Sequence, residues 1–310
     1  HKKICDDYAI NVLGGKEYAP WLYVYTAMNN EFKEGWIPDN YYGRFIVPKY
    51  KGLYGAISRL KPLNQKFYNN GCFPDIASFV NGMFFDNNYN YVNEYDIKDL
   101  LFCNGNEVVF KQDDSSRGIG VNIIKSDQFN LNEIKSLGNG LFQSKIQQLE
   151  DLAVFSSGSI ATLRITTFYQ DNGEVSIIAA YLMLGRDIET HVQAKTSIRV
   201  PVDINTGEYN QVGHNADWTE LYAHPDTNIK FEGKYFPSFD KSVSLVKKLH
   251  KKIPFARIVG WDIAIDRDNN PLIMEWNGEH NGITYAEANQ GPTFKGLGFE
   301  DLWKNNKSLS

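Results

Sequence analysis

At 310 residues the chain is longer than the ~100–150 typical of one domain, and its 42% hydrophobic and 14% aromatic content excludes a disordered or low-complexity protein. The formal net charge is −5, with Lys and Arg scattered rather than clustered, so no nucleic-acid surface is expected and an anionic ligand must be held by a few local cations. Cys5, Cys72 and Cys103 are too few and too isolated for a disulfide framework or a zinc site, and free thiols suit a reducing, cytoplasmic setting.

No apolar run approaches the ~20 residues that span a bilayer, and the stretch Trp21–Met28 is too short for a leader. Residues 1–60, rich in Tyr, Trp, Gly and Pro and broken at Pro20, Pro38 and Pro48, predict a small N-terminal segment of short helices and loops. Pro62 opens a short helix through Asn64–Tyr68, closed by Asn70-Gly71. An apolar stretch at 73–80 and an Asn- and Tyr-rich loop at 86–95 precede a short helix at 97–102. Strands are then expected at 107–112, 119–125, 141–148, 159–170, 174–184 and 196–204, the fourth and fifth joined by the turn Asp171-Asn172-Gly173. Residues 208–237 are irregular. Val243, Val246, Leu249 and Ile253 give 239–252 helical spacing, and a Gly-rich tail leads to a short closing helix near 299–303. Strands outnumber helices and neighbours are hairpin-linked, so the class is α+β, divided at 1–60, 61–147 and 148–310.

Chemistry concentrates in the hairpin 257–277. Val259, Trp261, Ile263 and Ile265 alternate onto one face, which leaves Asp262 on the other. Asp268, Asn269 and Asn270 turn the chain, Pro271 enters the second strand, and Glu275 and Asn277 share a face. Asp262, Glu275 and Asn277 together make a set of hard donors suited to Mg²⁺, which shares its oxygens with substrate phosphates; a surface hairpin with solvated acids is the alternative. Upstream, the strand 107–112 delivers Lys111 beside Val109 and Phe110. The turn that follows, with Ser115, Ser116, Arg117, Gly118 and Gly120, can aim backbone N–H groups at phosphate oxygens. It lacks the GK[ST] of a Walker loop, and an ordinary hairpin turn is the alternative.

A phosphate-cradling turn with a strand lysine, followed far downstream by an Asp and a Glu-x-Asn hairpin, resembles the ATP-grasp superfamily. A closer resemblance is to the sugar-transfer-associated ATP-grasp family, carried by Gln143–Gln148, Thr162-Leu163-Arg164, Gly260–Ala264 and Glu275–Asn277 across residues 60–300. At 188–194 the chain reads IETHVQA where the family has an Asp-Asn and Gly-Gly element, which implies a different acceptor.

The resemblance implies two α+β lobes clamping ATP. Lys111 would meet the α and β phosphates, Lys66 would reach them from the neighbouring helix, and the turn 115–120 would close over the β and γ phosphates. Gln143, Lys145 and Ile146 would face adenine, mainly through backbone groups, and Glu150 or Asp151 would bind ribose. Asp262, Glu275 and Asn277 would hold one or two Mg²⁺ ions, and Arg164 would stabilise the transferring phosphoryl group or the acyl phosphate. Arg186, His191 and Arg199 are candidates to grip an anionic acceptor such as a uronic acid. Read without the family, Lys66 is a solvated helix lysine, Arg164 a partner for an acid such as Asp187, and the other three sheet-face charges. The implied activity is carboxylate–amine ligation through an acyl phosphate, on a sugar acid or amino-acid-like carboxylate in capsule or O-antigen assembly, beside other polysaccharide-assembly enzymes. The rivals are phosphotransfer to a hydroxyl and a non-catalytic glycan- or nucleotide-binding module.

Overall fold

The computed structural model describes residues 1–69, 71–115, 120–155, 158–186 and 196–306, with residues 305 and 306 in backbone only. Six strands form a first sheet: β1 (Asp75–Val80), β2 (Met83–Asp86), β3 (Tyr91–Val92), β4 (Glu107–Gln112), β5 (Val121–Lys125) and β6 (Gly140–Ser144). Their order is β3-β2-β1-β6-β4-β5, with every pair antiparallel. The β1–β2 hairpin follows from Asn81-Gly82, both at positive φ, in the two-residue turn whose twist matches the flanking strands. Ala77, Phe79, Val108, Phe110 and Phe142 point into a core with Ile97 and Leu101 of the helix Ile97–Phe102 and Ile134 of the helix Leu131–Ser136. The second of these helices is held by Asn130, whose Oδ1 accepts from Asn132 N at 3.0 Å. Alternation leaves Lys111 and Gln143 on the opposite face.

The second sheet contains β7 (Thr162–Tyr169), β8 (Val175–Leu184), β9 (Ile198–Pro201), β10 (Gly213–His214), β11 (Glu220–Leu221), β12 (Ile258–Ile265) and β13 (Pro271–Asn277), in the order β11-β10-β9-β8-β7-β12-β13. It too is antiparallel throughout, and Gly173 at φ +82° closes the long β7–β8 hairpin. On one face Leu163, Ile165, Trp261, Ile263 and Trp276 pack with Val246 and Leu249 of the helix Phe239–His250. Burial of each such side chain is worth roughly 1.5–3 kcal/mol. On the other face Phe168, Ile178 and Ile258 join a third core. That core is built from the N-terminal helices Lys2–Asn11 and Ala19–Asn29, the residues Trp36, Tyr41 and Tyr42, and the tail residues Phe294, Phe299 and Leu302. The N-terminal segment and the tail thus bury their aromatic faces against each other and against the second sheet.

The α+β expectation holds, with two differences of physical interest. The expected strand 141–148 stops at Ser144 because the following backbone turns to the other sheet: Leu149 N donates to Ile265 O at 3.0 Å and Arg267 N to Gln147 O at 2.8 Å. The irregular stretch 208–237 contains the short strands β10 and β11. Among the described residues no helix is long and apolar enough to cross a membrane.

Candidate active site

β12 is buried along its whole length, and its alternation sends Val259, Trp261, Ile263 and Ile265 into the core while Gly260 and Asp262 face a cleft. Asp262 lies opposite Glu275 of β13 on one side and Arg164 of β7 on the other. Arg164 grips it with both arms: Nη2 donates to Oδ2 at 2.9 Å and Nε donates to Oδ1. Asn277 Nδ2 donates to Asp262 Oδ2 at 3.3 Å, which leaves its own Oδ1 for a cation. Burial is the largest single influence on Arg164 and works against its charge, but Asp262, Tyr181 and Glu275 together outweigh it and the guanidinium pKa is raised.

β13 carries a bulge that aims this site. Asp262 pairs with Glu275, yet the next residue, Ile263, pairs with Ile273, so Met274 is the extra residue. The Met274 carbonyl accepts from Lys111 Nζ at 3.0 Å and from Gln143 Nε2 at 3.5 Å. The same bulge lets Ile273 and Trp276 both enter the core while Glu275 and Asn277 face the cleft.

Phe110 occupies the core of the first sheet, so its neighbour Lys111 projects towards β13, only 7% exposed. Burial lowers its pKa, opposed by Glu275, Asp75 and Asp262. Beside it Gln143 Nε2 donates to Asp75 Oδ1 at 2.8 Å, and burial pushes the Asp75 carboxyl up to about 6. A second lysine shares this cluster, and it is Lys61. At 5% exposure its Nζ donates to the carbonyls of Gln112 and Ser115, both at 3.1 Å, and lies 3.8 Å from Glu275 Oε1. Lys66 is exposed instead, with Nζ 5.6 Å above the Tyr89 ring. Sequence offers no mark to separate the two lysines. The distinction is positional, because Lys61 lies where the chain crosses the turn after β4 and its N–H donates to Asp113 Oδ1 at 3.2 Å.

Of that turn, Ser115 Oγ donates to Gln112 O, Gln112 N donates to Gly120 O at 3.0 Å, and Gly120 takes φ +76°. Ser116, Arg117 and Gly118 lie outside the described residues, as do His191 and the stretch 188–194. Lys145 is exposed and pairs with Glu107 at 2.5 Å, and Ile146 is half-buried. Glu150 and Asp151 are exposed in the first turn of the helix Glu150–Ala153. Arg186 Nε donates to Asp226 Oδ2 at 2.6 Å. Arg199 sits on the cleft face of the second sheet, in line with Met183 and Thr162, its guanidinium 5.6 Å from the Tyr285 ring centre. The structure therefore gathers Lys111, Arg164, Asp262, Glu275 and Asn277, adds Lys61, and leaves Lys66, Lys145, Glu150 and Asp151 at the surface.

The donor set fits Mg²⁺. Glu275 accepts no hydrogen bond among the described residues, and its pKa is raised by burial first and by Asp262 second, the signature of paired carboxylates that a cation would relieve. Two carboxylates and an amide oxygen are hard ligands. Among the described residues no group of three or more His, Cys, Asp or Glu gathers that could hold a metal ion, so this donor set is two carboxylates completed by an amide.

A family model described as sugar-transfer associated ATP-grasp matches residues 73–297. Similar solved structures include the biotin carboxylase domain of Hydrogenobacter thermophilus 2-oxoglutarate carboxylase, in complex with MgADP, ADP and bicarbonate (13% identity, covering 72% of this chain and 40% of that chain, TM-score 0.43). Another is N5-carboxyaminoimidazole synthetase from Staphylococcus aureus complexed with ADP (12%, 76% and 47%, TM-score 0.43). A third is L-amino acid ligase from Bacillus licheniformis (10%, 74% and 41%, TM-score 0.40). The chain spans less than half the length of each of these three. A search of curated proteins found no match. With the family match running from the start of the first sheet through the β12–β13 hairpin and most of the tail, the chain belongs to the sugar-transfer associated ATP-grasp family.

Proposed function

We propose that the protein is an ATP- and Mg²⁺-dependent carboxylate–amine ligase acting on a sugar acid or amino-acid-like carboxylate in bacterial surface-polysaccharide assembly. The observation that carries this reading is the convergence of Lys111 and Lys61 with Arg164, Asp262, Glu275 and Asn277 across one cleft between two sheets. An acceptor carboxylate oxygen would attack the γ-phosphorus of ATP, ADP would leave, and the acyl phosphate formed would lose phosphate to an attacking amine. Such transfer asks little covalent work of the protein and much positioning and charge neutralisation. Lys111 and Lys61 would hold phosphate oxygens, and Arg164, half-buried and firmly charged, would face the transferring group. Asp262, Glu275 and Asn277 would hold Mg²⁺, which supplies neutralisation of phosphate charge when bound. The family's sugar-transfer description supports a sugar-acid acceptor, and this reading calls for a cytoplasmic location beside polysaccharide-assembly enzymes.

The test is product analysis with Mg·ATP, hydroxylamine and a panel of uronic and amino acids. ADP together with a hydroxamate is expected, and Lys111→Ala or Glu275→Ala should cut ADP formation by about 100-fold while leaving the folded structure unchanged. Full turnover by the Glu275 variant would sink the metal assignment. A phosphorylated alcohol without hydroxamate would make the enzyme a phosphotransferase. Absence of Mg²⁺-dependent ATP binding by calorimetry would make the protein a binding module.

A further inference from the structure

We infer that the side-chain amide of Asn281, together with Arg164, forms the seat for a carboxylate oxygen of the acceptor on the floor of the cleft; this rests on the ligase reading above. Asn281 follows the β12–β13 hairpin and is only 6% exposed. Its Oδ1 accepts from Lys51 Nζ at 2.7 Å and from Tyr42 OH at 2.6 Å. Two donors thus converge on Oδ1, which orients the amide and turns Nδ2 away from both. Its Nδ2 is buried and has no hydrogen-bond partner among the described residues. A buried N–H without an acceptor costs about 1–3 kcal/mol, so a donor locked in that state is one prepared for an acceptor atom that arrives from outside the chain.

Three features say what that atom belongs to. Arg164 Nη1 donates to the Asn281 backbone oxygen at 3.4 Å, so the guanidinium and the amide are neighbours, and together they present charge and a directed N–H to an anionic oxygen. Gly260 lies beneath them: a Cβ there would stand 3.3 Å from Arg164 Cδ, from Asn281 Cβ and from Asn281 Nδ2. Gly260 has no positive φ that would require glycine, so the missing side chain serves space rather than backbone conformation. Along β12 Gly260 is two residues from Asp262 on the same face, about 7 Å, which is the reach of one phosphoryl group between a cation and the carboxylate that receives it. The two groups that orient the amide, Tyr42 and Lys51 (2% exposed), both come from the N-terminal segment, which therefore positions a substrate donor as well as sharing the tail's core.

The test uses the full chain labelled with ¹⁵N-asparagine, Mg·ADP as nucleotide and acetate as the carboxylate probe. The Asn281 side-chain signal is identified by its loss in Asn281→Asp. With Mg·ADP bound, acetate should move that signal saturably and chloride should not. Line widths of ¹³C-acetate should show Asn281→Asp and Gly260→Ala binding acetate at least tenfold more weakly, with Mg·ADP affinity within twofold of wild type. Tyr42→Phe, which leaves Lys51 as the amide's remaining anchor, should weaken acetate two- to fivefold. An Asn281 signal unmoved by acetate in the Mg·ADP complex, or acetate binding by Gly260→Ala equal to wild type, overturns the seat and leaves the nucleotide site intact. Failure of the wild-type chain to bind Mg·ADP overturns the ligase reading and the seat with it.

Discussion

Glu287 provides a quantitative test of how the N-terminal segment and the tail are joined. It lies fully buried in the helix Thr284–Gln290; its Oε2 accepts from Ile37 N at 2.8 Å, and its Oε1 accepts from Thr293 N at 2.8 Å and from the Thr293 hydroxyl. The Trp36 indole donates to its backbone oxygen at 2.7 Å. Burial pushes the carboxyl up from 4.5 to about 8 in spite of these donors. Between those values the unfolded chain has released a proton that the folded chain keeps. Stability from this group is therefore fully present below pH 4.5 and is lost as pH rises towards 8. The slope is about 1.4 kcal/mol per pH unit and the whole span roughly 5 kcal/mol. Glu287→Gln cannot ionise, and its NH₂ must face either the Ile37 or the Thr293 N–H, a donor–donor conflict worth about 1–3 kcal/mol. Urea unfolding of both proteins from pH 5.5 to 7.5 should thus show wild type more stable at the acid end. Its advantage should shrink by about 1.4 kcal/mol per pH unit, while all other titrating groups cancel between the two proteins. Parallel pH profiles would refute the buried, protonated carboxyl.

His250 should shape the acid side of the same curves. Its Nε2 donates to Ala256 O at 2.9 Å, its Nδ1 contacts the Thr167 hydroxyl at 2.7 Å, and burial pushes its pKa from 6.5 down to about 4. The unfolded chain protonates first, so about 3 kcal/mol is lost as pH falls from 6.5 towards 4, and His250→Gln should flatten that limb in urea titrations. For nucleotide use, Lys61→Met should reduce ADP formation about 100-fold, whereas the exposed Lys66→Met should stay within about twofold. A larger loss at Lys66, measured by coupled ADP release, would reverse the assignment of the two lysines.

Much of the site was legible because it depends on short-range periodicity. Alternation alone separates Asp262 from Val259, Trp261, Ile263 and Ile265, and Lys111 from Phe110, because a strand shows its two faces in turn whatever it packs against. Turn chemistry announces Asp171-Asn172-Gly173, and Asn81-Gly82 carries an equally plain hairpin signal for the β1–β2 pair that the strand pattern around it does not. The bulge at Met274 had no such mark. An extra residue in one strand makes no demand on composition unless it needs positive φ, and its consequence, a carbonyl handed to Lys111, appears only once the two sheets meet.

The sequence by itself determined the α+β class, the hairpin-linked strands and the strand faces of Lys111, Asp262, Glu275 and Asn277 as consequences of local pattern, while Arg164 entered only through the family resemblance. Tertiary structure alone decided that Lys61 rather than Lys66 enters the cluster, that Arg164 is held by Asp262, and that Tyr42 and Lys51 orient Asn281. These contacts join residues far apart in the chain. Their energies depend on which buried charges find partners when separate elements pack, and no local window of sequence contains that information.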